Sequence, residues 1–153
     1  MAYIDVIPLA DAKVYLRIDD TLTEDDAQIT RMINASLKYV EGFTNVLVYA
    51  RDKEYLFDDC KVNVYDFPIN TTTLPTDVES KRKALLTQYT TTDTDLEDIT
   101  LNVGYTDPAD VPSDLIEVAY EILGLLYEGK DGDVSNNLTT MSKMILQQEK
   151  RFV

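Results

Sequence analysis

Carboxylates are the only side chains in this sequence numerous enough to do chemistry. The 153 residues include 28 Asp and Glu against 14 Lys and Arg, one cysteine, Cys60, and no histidine. Without histidine the commonest acid–base group at neutral pH is missing. Serine–histidine and cysteine–histidine arrangements and histidine-containing metal sites are therefore excluded. A single cysteine also rules out an internal disulfide and a zinc site built on several thiolates. Neither G-x-x-x-x-G-K nor G-x-G-x-x-G occurs, so the usual phosphate-cradling loops are missing. Acidic clusters remain. Asp93, Asp95, Glu97 and Asp98 imitate the start of a calcium loop, but Asp98 stands where that loop needs glycine and Gly104 where it needs glutamate. Asp19, Asp20, Glu24, Asp25 and Asp26 suit a turn and a helix start, and Asp131 and Asp133 flank Gly132 as a hinge. A glycosidase-type acid and base would need a paired spacing in a cleft, and no spacing here points to one. Cys60 reads as a small, half-buried residue at a strand edge. The expectation is no catalytic residue, no metal ligand and no cofactor.

The elements around these clusters are easier to read. Pro8 suits a first helical turn, and Leu9, Ala12 and Leu16 follow at helical spacing, giving a helix over 8–18 with Ile18 closing its stripe. Thr23 with Asp26 resembles a capping box. Ile29, Met32, Ile33, Ser36, Leu37 and Val40 then form one apolar stripe, which predicts a helix over 24–42 with Gly42 as its stop. Val46–Tyr49 and Glu54–Phe57 read as strands separated by a turn at Arg51–Lys53, and Val62–Phe67 as a strand ending at Pro68. Residues 80–91 could be helix or strand, and a strand paired with the next one is favoured. Ile99, Leu101 and Val103 alternate as that next strand. Pro112 opens a helix over 112–128 that is apolar almost all round, broken only by a narrow stripe with Glu117, Glu121, Gly124 and Glu128. It should pack on the 24–42 stripe and make the core.

The predicted fold is α+β and mainly helical. A helical core is interrupted by a small antiparallel sheet over 46–105, forming a domain over 1–130, with a C-terminal extension over 131–153. The extension carries Leu138, Met141, Met144 and Ile145 on or near one face, with Phe152 almost terminal. Fold-back on the body and docking elsewhere are both open for it, since Met-rich amphipathic surfaces adapt to partners.

Two blocks also carry a family resemblance. Leu9, Ala12, Lys13, Leu16, Arg17, Ile18 and Asp19, followed by Glu24, Asp25, Asp26, Ile29, Met32, Ile33, Ala35, Val40, Glu41 and Thr44, form the first. Val103-Gly104-Tyr105, then Val111-Pro112 and the apolar helix, form the second. In order and spacing they resemble the head–tail connector (adaptor) proteins of tailed bacteriophages. The resemblance implies a structural virion protein that assembles into a homo-oligomeric ring, dodecameric by expectation, beneath the portal protein. It would extend the DNA channel and dock the next neck or tail component, a stopper or tail terminator. It also implies that the C-terminal segment, with Leu138, Met141, Met144, Ile145 and Phe152, contacts the portal or a neighbouring subunit.

Net charge is −14, which disfavours holding a phosphate backbone or an anionic membrane surface. It suits solubility, a basic partner, or a surface that nucleic acid passes without sticking, and the last fits the channel for double-stranded DNA, passed without specific binding, that the resemblance implies. No apolar run approaches the roughly 20 residues that span a bilayer. The expected location is the virion neck, with the host cytoplasm during assembly. Two other readings stand beside this one: an acidic DNA mimic or inhibitor that occupies a basic protein, and a small carboxylate- or metal-dependent enzyme.

Overall fold

A computed structural model describes residues 2–83, 86–129 and 134–150. Two N-terminal helices, α1 (Tyr3–Val6) and α2 (Leu9–Leu16), lead into the long α3 (Asp26–Thr44). Five strands follow: β1 (Arg51–Leu56), β2 (Lys61–Val64), β3 (Val78–Lys83), β4 (Leu86–Thr91) and β5 (Asp98–Val103). A short 3-10 turn at Pro108–Asp110 precedes α4 (Ser113–Tyr127), and α5 (Val134–Asn137) and α6 (Thr140–Glu149) complete the described chain. The α+β, mainly helical architecture expected from sequence is the one observed. Residues 130–133, including the expected hinge, lie outside the described residues.

The α3 and α4 stripes form the main core. Ile29, Ile33, Leu37 and Val40 of α3 are fully buried with Leu115, Val118, Ile122 and Leu123 of α4, as their spacing requires. Each such side chain stabilises by roughly 1.5–3 kcal/mol relative to exposure. Two local expectations for α3 fail. The Thr23–Asp26 capping box does not form: Asp25 is the N-cap, and the Asp26 carboxylate turns instead to Lys13. Gly42 does not stop the helix, which runs on to Thr44 and closes at Asn45 in the left-handed conformation. Burial of Glu41 and Thr44 outweighs the cost of about 1 kcal/mol for one helical glycine. The helix α1 carries no periodic signal of its own and was not anticipated; Tyr3, Val6 and Ile7 cap the core.

The sheet prediction needs more correction. There are two antiparallel sheets rather than one, β1–β5 and β2–β4–β3. Residues 78–83 and 86–91 are strand, but β4 pairs with β3 and β2, and β5 takes β1 as its partner. Arg51–Lys53, expected as a turn, opens β1 because its backbone pairs with Leu101–Val103. Val46–Tyr49 is no strand; only Val46 makes an isolated bridge, to Phe67. Ile99, Leu101 and Val103 share the buried face as predicted, within a second core that includes Leu47, Val64, Val78 and Tyr89. Cys60 is half-buried in a two-residue turn with Asp59, both at positive φ, between Asp58 and Lys61, which exchange two backbone hydrogen bonds.

Candidate functional site

Two groups of residues matter for function: those of the sequence signature and those of the C-terminal helix. The signature residues turn out to be structural, and their chemistry explains their spacing. At the end of α2, Arg17 adopts the left-handed conformation and the Ile18 N–H returns to the Lys13 carbonyl, closing the helix. Lys13 itself is 4 % exposed. Its ammonium donates to the Leu22 carbonyl at 2.7 Å and pairs with Asp26 Oδ1 at 2.5 Å, pinning the α2–α3 loop beneath it. In that loop the Asp19 carboxylate accepts from the Thr21 hydroxyl and backbone N–H, which holds its pKa below the ordinary carboxylate value.

Glu41, near the far end of α3, is 6 % exposed. Its Oε2 accepts from Tyr3 Oη at 2.6 Å and from Arg51 Nη2 at 2.9 Å. Its Oε1 accepts from the Val48 N–H at 2.9 Å and from Arg51 Nη1 at 3.2 Å. The Arg51 guanidinium also lies over the Tyr49 ring, 4.8 Å from its centroid. Burial pushes the Tyr3 pKa well above its ordinary value, and the Glu41 carboxylate pushes it further. Burial works against the Arg51 charge, but the hydrogen bonds and charge of Glu41 outweigh it and hold the guanidinium protonated. This cluster ties α1, α3 and β1 together. Thr44 Oγ1 donates to the Val40 carbonyl and accepts the Val46 N–H, steering the chain out of α3. In the second signature block, Gly104 sits at φ +108°, and a Cβ there would fall 2.1 Å from the Tyr49 carbonyl oxygen. Only glycine fits so close a crossing.

The C-terminal helix divides its expected docking residues between two sides. Leu138 is 5 % exposed and joins the main core with Leu146, and Ile145 packs against that core partly buried. Met141 and Met144 stand 72 % and 54 % exposed. Phe152 lies outside the described residues. Leu146 was not singled out from sequence, although Leu138, Ser142 and Leu146 recur at i, i+4, i+8 and are all buried. The polar stripe of α4 supplies the attachment. Glu121 accepts from the Thr139 N–H at 2.5 Å, from the Thr139 hydroxyl at 3.1 Å and from the Ser142 hydroxyl. At the other end of α6, the Lys150 ammonium lies 4.9 Å from the Phe43 ring centroid of α3.

Beyond these, a concavity of about 260 Å³ opens between Asp66, Pro68, Arg82 and Tyr89. The carboxylate at its edge is already engaged: Lys53 Nζ and Tyr55 Oη both donate to Asp66 Oδ2, at 2.6 and 2.5 Å. Among the described residues, no three His, Cys, Asp or Glu side chains come together as a metal site. The calcium-like stretch is a local turn, with the Asp95 N–H donating to Asp93 Oδ1 at 3.0 Å. Among the described residues, no helix is long and apolar enough to cross a membrane.

Residues 6–73, which hold the clamped loop, α3 and all of the Glu41 cluster except Tyr3, match the phage gp6-like head-tail connector protein family. The sequence resemblance to head–tail connectors is thus borne out over that stretch. The whole fold has solved counterparts. A chain from the neck of an empty gene transfer agent (GTA) particle, determined with C6 symmetry, superposes with a TM-score of 0.76 at 13% identity, covering 97% of this chain and 91% of its own. A chain from the virion of a native GTA particle superposes at 0.73 and 14% identity, covering 100% and 93%. Among curated proteins none matches the sequence.

Proposed function

We propose that this chain is a ring-forming head–tail connector. Copies would assemble beneath the portal vertex, extend the DNA channel and present a surface for the next neck or tail component. The observation that carries this reading is the coincidence of the family match over 6–73 with a neck-protein fold spanning 97% of the chain. In the proposed role the acidic balance of −14 lets double-stranded DNA pass without adhering. The protein would reside in the virion neck and be assembled in the host cytoplasm. Its work is docking rather than catalysis, and a dodecameric ring is the expected assembly.

The outward side of α6 is the proposed portal- or neighbour-contacting element. Met141 and Met144 offer flexible apolar surface, and Met144 with Gln147 and Gln148 lines a shallow depression of about 200 Å³. Leu138 and Ile145 would keep the helix on the body while its exposed side is engaged. Mixing purified chain with purified portal rings and imaging by negative stain tests the reading. A second ring stacked on the portal is expected. Portal rings that stay bare at saturating chain concentration would refute it.

A further inference from the structure

We propose that neighbouring copies join head to tail, the lysine-bearing face of the β2–β4–β3 sheet of one copy meeting the acidic α2–α3 loop of the next. This rests on the ring reading above and adds to it the surfaces that touch. In an antiparallel sheet, directly paired residues share a face, as do residues two apart along a strand. Lys81 pairs with Gln88, and Gln88 with Asn63. Lys61, Asn63, Lys81, Lys83 and Gln88 therefore share one face. Its three lysines are exposed, while Val78 and Tyr89 on the reverse face are buried in the second core. Lys83 Nζ donates to Gln88 Oε1 at 2.6 Å and Gln88 Nε2 to Asn63 Oδ1 at 3.0 Å, a polar ladder across all three strands. The acid on this face is Glu79. Arg82 is exposed too but belongs to the reverse face with Val78 and Tyr89.

Lys13, Arg51 and Lys53 pair with Asp26, Glu41 and Asp66, whereas among the described residues Lys61, Lys81 and Lys83 form no ion pair. Arg31 and Lys38 of α3 are likewise exposed without one, so what sets the sheet apart is that three such cations share one face. β2 and β3 are both edges of this sheet, and lysines along an edge discourage stray strand pairing, but edge protection does not require the three lysines to share one face. The opposite charge lies at the other end of α3. Asp19, Asp20, Glu24 and Asp25 are exposed there, around a Leu22 that is 56% exposed, with Arg17 as the neighbouring cation. The 19 residues of α3 separate this loop from the segment leading into the sheets by about 28 Å. One copy thus carries unlike charge beyond the two ends of one rigid helix. A cyclic assembly larger than a dimer needs two different, complementary patches. Copies each carrying −14 repel unless their contact brings opposite signs together.

Sedimentation of the intact chain at low salt tests this with K81E/K83E, D20K/E24K and the combined fourfold variant, after melting curves show each is folded. Wild type is expected to self-associate, and each double variant to do so on the order of tenfold more weakly. A one-to-one mixture of the two double variants should regain association through alternating copies, since both of its contacts again bring opposite signs together, and the fourfold variant should regain association on its own. Double variants that associate like wild type would overturn the contact, as would wild type and mixture both remaining monomeric. Binding of a short DNA duplex by wild type that is lost in K81E/K83E would assign the face to nucleic acid and overturn it too. If either double variant still rings the portal normally, this contact fails while the connector reading stands.

Discussion

The two ends of α3 each bury a charge, and they satisfy it in opposite ways. At the start, Lys13 is answered locally, by the Leu22 carbonyl and Asp26, all within 13 residues of chain. At the end, Glu41 draws on Tyr3, Val48 and Arg51, the first of them 38 residues distant. The local arrangement shapes one loop. The distant one fastens the N-terminal helix and the first strand to the helical core. A buried charge thus marks either a loop that must hold its form or a joint between elements, and the reach of its partners tells which.

Removing the joint should have the largest effect. Glu41→Ala strands the Tyr3 hydroxyl, the Val48 N–H and a guanidinium that is 30% exposed. We expect a loss of about 3 kcal/mol, below the full figure for a wholly buried pair because Arg51 reaches water. Thermal unfolding should shift down by roughly 6–12 °C. A shift no larger than that of Lys13→Met would erase the contrast between the two ends. Lys13→Met keeps the aliphatic stem and removes the donor, so about 1–2 kcal/mol is expected. Limited proteolysis should then show cleavage gained within residues 17–25 and little elsewhere.

Alkaline titration addresses the distant cluster alone. Burial and Glu41 raise the Tyr3 pKa in the folded chain above its ordinary 10.0. A raised pKa means that this stabilisation is complete below pH 10 and is lost as pH climbs beyond it. Stability should fall above pH 10 with a slope of at most about 1.4 kcal/mol per pH unit from this group. Tyr55, Tyr89 and Tyr120 are shifted the same way by burial, so Tyr3→Phe should flatten the fall without abolishing it; an unchanged slope would remove Tyr3 from the account. The smallest effect is expected far from both charges. Met141→Ser with Met144→Ser should alter stability by no more than about 0.5 kcal/mol, since both side chains are exposed. In the proposed role the same pair weakens portal binding, which a pull-down on portal rings would register.

The sequence made α3 and α4 legible because an apolar stripe of period 3.6 has no other stable use in water. It made β5 legible because Ile99, Leu101 and Val103 alternate. It misled at Arg51–Lys53, where three polar residues signal a turn but the pairing with β5 decides the backbone. The antiparallel β3–β4 pair was ambiguous for a similar reason. Lys81, Arg82 and Lys83 are exposed and carry no burial period, so only the partner strand fixes their conformation. The buried roles of Lys13 and Glu41 were invisible, since nothing local distinguishes a buried charge from a solvated one. Family spacing singled both out without saying why. In the C-terminal helix the methionines drew the eye, while the leucines at Leu138 and Leu146 hold it to the body.

The crossing at Gly104 has a mechanical consequence. The chain leaves the helices through residues 45–50 and returns through 104–105, and these two passages are laced together. Tyr105 donates to the Leu47 carbonyl and Ala50 to that of Tyr105. Two cross-tied passages resist bending and torsion as a single tether does not. A push or twist applied to the sheets is therefore handed to α3 as a rigid lever, and wherever the helices are anchored, the sheets inherit their bearing.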